Sequence, residues 1–340
     1  MDLRLRAFLS LILAQFLLVT GGLAQTSKLQ IYFLDVEGGQ STLLVAPSGQ
    51  SLLVDTGWPG NNNRDADRIA EAVKLAGLKQ IDYVLITHYH TDHVGGVPQL
   101  LKQVKVGTFI DHGPNQENDE LAPEGYAAYL SSIGSIKHIV AKPGDRIPIK
   151  GLKVEVLAAA GAHISQAVAG AGQPNPYCAS EPKWPADKTE NAASLGVLVT
   201  FGDFRFVDLG DLTKDKEQNL VCPSNLIGTV DLFLVSHHGM SMSNSKALVH
   251  ALHPRVAIME NGAQKGDSPE AWQTVHDSPN LEGFWQLHFT AASGDHNVSK
   301  DAIANLDGDS DGHYIKVSAQ SDGTFTVVNS RNQVEKTYKK

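Results

Sequence analysis

The sequence predicts an α/β fold in which two β-sheets pack against each other with helices on the outside. Three observations carry that expectation. Short apolar runs of strand length alternate with Gly, Pro, Ser and Asn turn residues. Amphipathic segments of helical period follow several of these runs. The second half of the chain then repeats the rhythm of the first, with no short repeat, charge block or linker between them. The 340 residues are 42% apolar, an ordinary globular fraction that excludes a mostly disordered or fibrous chain and is enough for a substantial core.

In chain order, Leu29 to Val36, Ser41 to Ala46 and Ser51 to Asp55 read as successive strands, divided by Gly38-Gly39 and Pro47-Ser48-Gly49. Asp65 to Leu75 places Ala66, Ile69, Val73 and Ala76 on one face and is closed by Gly77, so it is predicted helical. Ile81 to Thr87 reads as a buried strand running into a polar cluster. Pro98 to Val104 is predicted helical, Val106 to Ile110 a strand and Pro123 to Ser132 a helix. Ser194 to Phe201 and Phe204 to Leu209 predict a hairpin around Gly202-Asp203. Asp231 to Val235 and Arg255 to Met259 follow as strands, with Ser245 to Leu252 and Pro269 to His276 as helices. Trp272, Phe284 and Trp285 fit core positions better than a cleft lining. The stretch from Asp307 to Gly312 has alternate carboxylates like the start of a calcium loop, but Ser318 stands where the bidentate Glu belongs. It reads as a solvated turn before a hairpin of His313 to Ser318 and Thr324 to Val328.

Residues 1–24 read as a secretory signal. Arg4 and Arg6 precede an apolar stretch from Ala7 to Val19, and Gly22-Leu23-Ala24 supplies small residues for cleavage. The expectation is therefore an exported protein, periplasmic or extracellular, with one domain over 25–340. An uncleaved anchor is the alternative for that segment, and nothing later is long and apolar enough to span a bilayer. An oxidising compartment would let Cys178 and Cys222 pair, a reading set against two free thiols in loops. The net charge of −9 argues against a protein that grips nucleic acid through excess positive charge.

The chemistry is concentrated in Thr87-His88-Tyr89-His90-Thr91-Asp92-His93, followed by Val94-Gly95-Gly96. On a strand, alternate residues share a face, so His88 and His90 can project together. A turn could then direct Asp92 and His93 elsewhere, with the two glycines permitting tight backbone. Imidazole and carboxylate are suitable zinc ligands.

His88-x-His90-x-Asp92-His93 resembles the signature of the metallo-β-lactamase superfamily of hydrolases. Asp35 to Ser41 and Val54-Asp55-Thr56-Gly57 resemble its opening strands. Phe206 to Asp211 resembles the strand ending in a metal-bridging Asp, and Leu234 to Gly239 its last ligand segment. The pattern is most similar to the hydrolase domain of competence-type DNA-uptake proteins and their stand-alone relatives, where His-His-Gly is typical. The resemblance implies an αββα four-layer sandwich of two mixed sheets flanked by helices, holding two divalent metal ions, zinc foremost. It assigns His88 and His90 to one ion and Asp92 and His93 to the other, with Asp211 bridging and His237 completing the second set. Asp211 read alone could instead cap the helix near Thr213. His238 would then contact substrate or a supporting carboxylate.

Two departures stand out. The common hydrolases carry a third His on the first ion shortly before the bridging Asp, where this chain reads Glu190-Asn191-Ala192-Ala193. Asn191 resembles the Asn-rich segment of the competence-type branch and could serve as a ligand, orient substrate or close a turn. His112 and His163 are alternative ligands. Gln40 stands where that branch carries Asp.

Two ions about 3.5–4 Å apart would generate a metal-bound hydroxide near neutral pH and polarise the scissile group, while Asp92 orients the nucleophile or shuttles its proton. The expected substrate is a small molecule bearing a phosphodiester, lactone or amide. A mononuclear iron oxygenase of sulfur compounds and a non-catalytic extracellular binding protein are the alternatives on the same scaffold.

Overall fold

The computed structural model describes residues 28–117, 123–307 and 311–340. The signal-like segment 1–24 and part of the Asp307–Gly312 turn lie outside them. Two large mixed sheets dominate. The first runs, edge to edge, through Glu335–Tyr338, Phe325–Asn329, Ile315–Ala319, Leu29–Phe33, Thr42–Val45, Ser51–Val54, Ile81–Leu85, Val106–Asp111 and Lys137–Val140. The second runs through Ile303–Asn305, Gly283–His288, Val256–Met259, Leu232–Leu234, Phe204–Asp208, Gly196–Phe201, Lys153–Ala159 and Arg146–Ile147. In both sheets the hairpin-connected strands pair antiparallel, while the strands followed by helices pair parallel.

Strand alternation builds three apolar layers. Leu29, Ile31 and Phe33 face Phe204, Phe206, Leu232 and Leu234 between the sheets. Phe33 meets Phe206 edge-on across that layer, with ring centroids 5.8 Å apart. Tyr32 and Leu34 point the other way, onto the helices Arg64–Leu75, Val97–Leu100 and Pro123–Ile133. Phe233 and Val235 do the same beneath Lys214–Val221, Lys246–Leu252 and Pro269–His276. Helix, sheet, sheet, helix is the αββα order that the sequence predicts.

Several boundaries differ from expectation. The helix expected over Pro98 to Val104 is the single turn Val97–Leu100. The first strand stops at Phe33 because Glu37 and Gly38 adopt positive φ and turn the chain across the sheet end. Cys178 and Cys222 form a disulfide with Cα atoms 5.8 Å apart, tying the 3-10 turn Pro176–Ser180 to the end of the helix Lys214–Val221. Trp285 lies in the inter-sheet layer and Trp272 under the outer helices, so both are core.

Truncating the ring that bridges the two sheets opens a cavity the rigid strands cannot close. Phe206→Ala is expected to lower unfolding free energy by about 3–5 kcal/mol, read as a shift in the urea midpoint with an unchanged slope.

Candidate metal centre

The strand Ile81–Leu85 releases the chain at the joint of the two sheets, where Thr87 to His90 cross to the short helix Thr91–Val94. Gly95 and Gly96 allow that crossing. A Cβ on Gly95 would lie 2.3 Å from the Thr91 carbonyl oxygen, and one on Gly96 would lie 2.1 Å from that of Thr56. From the other sheet, Phe204–Asp208 delivers Asp211 just past its end. Thr213, and not Asp211, occupies the cap position of the helix Lys214–Val221, so the Asp211 carboxylate is free to face the cluster.

One donor atom each from Asp92, His93, Asp211 and His238 lies within 4.8 Å of the others, and all four residues are buried. His93 Nε2 is 3.3 Å from both Asp92 Oδ2 and Asp211 Oδ2. His238 Nε2 is 3.2 Å from Asp92 Oδ2 and 3.6 Å from Asp211 Oδ1. His88 sits beside this group, its Nε2 3.8 Å from Asp211 Oδ2 and 3.1 Å from His90 Nδ1.

The expectation places His237 in the second set; in the structure His238 is the residue among the four, and His237 stands beside them against Asp211. Both histidines follow the strand Leu232–Leu234 in the left-handed region, with φ of 55° and 54°. Such backbone in non-glycine residues is concentrated at functional sites. The His238 Nδ1 lies 3.1 Å from the Glu260 carbonyl oxygen and donates to it, which leaves the Nε2 lone pair for the cluster. His237 is held by Ser243 Oγ at 3.2 Å, with its Nε2 3.3 Å from Asp211 Oδ2.

Supporting residues outside the expected ligand set lock these rings. Asp55 Oδ2 lies 2.7 Å from His93 Nδ1, and the Asp55 carboxylate accepts from the Thr87 N–H and hydroxyl at 2.8 and 2.6 Å. This carboxylate–imidazole arrangement is the usual backing of a metal-binding histidine. Val-Asp-Thr-Gly at a strand end was its sequence signal. Glu117 Oε2 stands 3.3 Å from His90 Nε2 and also accepts from the Glu190 N–H. Lys265 pairs with Asp92 Oδ2 from a loop of the second half; a lone loop lysine has no sequence signal.

Of the other candidates, Asn191 is buried on the turn Glu190–Ala193, and its Oδ1 has no hydrogen-bond partner among the described residues. His112 is buried on Glu190 at 2.7 Å, and His163 is exposed on a short edge strand, so neither joins the cluster. Gln40 donates to both oxygens of Asp208 at 3.1 and 3.0 Å, bracing the strand end that carries Asp211. A second group, Asp35, Glu37 and His288, has the Arg68 guanidinium beside it, 3.0 Å from Asp35 Oδ2 and 3.6 Å from Glu37 Oε1.

Burial alone would push the Asp92 and Asp211 carboxyls up. The imidazoles around them, with Lys265 beside Asp92, hold both well below the usual carboxylate range. Burial opposes charge on His93, yet Asp211, Asp92 and Asp55 hold its proton affinity well above ordinary imidazole. Burial and the neighbouring His93 push His88 well down, and burial takes His237 to about 4. Among the described residues, Asp211 Oδ1 and Asn191 Oδ1 are buried acceptors with no full-strength hydrogen bond, His238 Nε2 lying 3.6 Å from the former. Buried orphan acceptors among nitrogen and oxygen donors fit a divalent cation of the zinc type. Asp92, His93, Asp211 and His238 would hold one ion, and His88 and His90 beside Asp211 a second.

Fold and donor set together define a metal-binding αββα sandwich protein. Residues 35–175 match the family model described as Metallo-beta-lactamase superfamily, and the chain carries a domain of that superfamily. It is 26% identical over 275 residues to ComE operon protein 3 of Bacillus subtilis, covering 72% of this chain and 31% of that protein. It is 24% identical over 235 residues to Recombination protein 2 of Haemophilus influenzae, covering 68% of this chain and 24% of that protein. The chain thus spans a third or less of these two relatives. A UPF0173 protein of Pyrococcus abyssi is 26% identical over 265 residues, covering 72% of this chain and 96% of its own.

His93 binds its proton tightly before metal arrives, and a cation must displace that proton to reach Nε2. Zinc uptake is therefore expected to release at least one proton, and apparent affinity should rise with pH. Calorimetry at neutral pH in buffers of different ionisation enthalpy checks this; a heat independent of buffer contradicts it.

Proposed function

We propose that this protein is an exported, metal-dependent hydrolase acting on a phosphodiester, with residues 25–340 forming one catalytic unit. The observation that carries this reading is the convergence of Asp92, His93, Asp211 and His238 within 4.8 Å, beside His88 and His90. The resemblance of the sequence motifs to the competence-type branch supports the phosphodiester. The signal-like N-terminus and the Cys178–Cys222 disulfide support export, since such bonds persist in oxidising compartments. No helix among the described residues is long and apolar enough to cross a membrane.

When bound, divalent ions would supply Lewis acidity and lower the pKa of a water. The chain's own residues do the rest. Asp55 and the Glu260 carbonyl fix the orientation of His93 and His238, so their Nε2 atoms need no reorganisation. Asp92 is ionised and can accept a hydrogen bond from the attacking water and so aim it. His237 is neutral near pH 7, with Ser243 Oγ at its Nδ1 and its Nε2 3.3 Å from Asp211 Oδ2, so it supports the bridging carboxylate without adding charge.

A second reading, a single-metal iron oxygenase, draws on one observation: the turn Glu190–Ala193, whose Glu190 accepts from the Tyr89 N–H at 3.3 Å, carries Asn191 and no imidazole. Metal analysis with a substrate screen separates the readings. Two zinc ions per chain and hydrolysis of bis-p-nitrophenyl phosphate are expected, with lactone and β-lactam compounds as comparison. Asp211→Ala and His88→Ala should each cut the rate by about a thousandfold, the scale of several kcal/mol of lost charge stabilisation. One iron with oxygen uptake favours the oxygenase. No bound metal favours a binding protein, and activity surviving both substitutions overturns the hydrolase.

A further inference from the structure

We infer that Lys265 is the anion-binding residue of this centre and selects a negatively charged ester over a neutral one. This rests on the hydrolase reading and deepens it. Lys265 lies on a tight turn closed by the Gly262 N–H donating to its carbonyl oxygen at 2.9 Å. That turn is clamped against the glycine loop: a Cβ on Gly38 would lie 2.9 Å from Gly262 N and 3.0 Å from Lys265 Cβ. The stem is thus held in place, while the side chain remains 30% exposed.

The ammonium has two partners. It pairs with Asp92 Oδ2, and it lies 5.0 Å from the centre of the Trp58 ring. Asp92 Oδ2 is the same oxygen that faces His93 Nε2 at 3.3 Å and His238 Nε2 at 3.2 Å. A divalent cation held by those three side chains would draw on the lone pairs that the ammonium now uses. Two cations sharing one carboxylate oxygen repel each other strongly at such range. With a cation on Oδ2 the amine leaves that oxygen, and the fixed stem and the Trp58 face keep it at the edge of the centre. An anion that touches both the ammonium and the metal ion is stabilised there by charge-assisted hydrogen bonding. A phosphodiester brings such an anionic oxygen; a lactone or unmodified amide does not. Lys265 therefore discriminates by charge, with Trp58 as the adjoining wall.

The test uses full-length protein loaded with zinc and desalted, with inorganic phosphate as the probe in calorimetry. Lys265→Met should weaken phosphate binding by about tenfold or more, the size of a charge-assisted hydrogen bond. Its zinc content should equal that of the wild type, and Lys265→Arg should retain most of the affinity. Equal phosphate affinity in wild type and Lys265→Met overturns the inference, as does a wild type that binds no phosphate. Loss of zinc from Lys265→Met also overturns it, since the lysine would then serve to support Asp92. Lysine-dependent phosphate binding without phosphodiester hydrolysis would defeat the proposed substrate and leave the anion site standing. Intact hydrolysis with lysine-independent binding would do the reverse.

Discussion

Two ionised carboxylates, Asp92 and Asp211, are buried at the seam between the sheets, and the site depends on how their charge is met. An unpaired buried carboxylate costs several kcal/mol. Here the compensation comes from imidazoles delivered by both sheets: His88 and His93 from the first, His237 and His238 from the second. The cluster therefore exists only when the sandwich is closed. Neither half contains a complete donor set, which ties the chemistry to the packing of Phe33 on Phe206, the latter on the strand that leads to Asp211.

Around that centre the chain uses polar contacts that are themselves buried. Asp55 is held by Thr87 so that it can hold His93. Glu190 accepts from the Tyr89 and Gln116 N–H groups and from His112, fixing the turn that carries Asn191. Gln40 offers an amide to Asp208, whose carboxyl burial pushes up to about 7. An amide there satisfies Asp208 without adding another buried charge, a physical sense for the departure at position 40. Each contact limits the freedom of a side chain near the centre, and pre-set orientation is what a catalytic metal site requires of its protein.

Much of this was legible in the sequence, for reasons that also mark the limit. Apolar period marks Arg64–Leu75, a short apolar run marks Ile81–Leu85, and the Gly202-Asp203 turn between two such runs marks the hairpin after Leu195. The strand Gly283–His288 escaped because Gln286 and His288 interrupt its apolar pattern, and both are buried for their hydrogen bonds. Lys137–Val140 escaped as a largely exposed edge. At the site, His88-x-His90-x-Asp92-His93 announces itself by spacing. The choice between His237 and His238 does not, because it is made by two left-handed residues and by the distant Glu260 carbonyl. Lys265 is 173 residues from Asp92, and only the folded chain joins them.

The central claim is that one divalent ion is gripped by donors from both sheets, with His238 turned inward. Anomalous diffraction at the zinc edge from zinc-loaded crystals reads this directly. The account predicts a peak within bonding distance of Asp92, His93, Asp211 and His238 Nε2, about 2.0–2.2 Å from each. A peak ligated by His237 with His238 turned away, or zinc bound elsewhere with the four side chains apart, would contradict it.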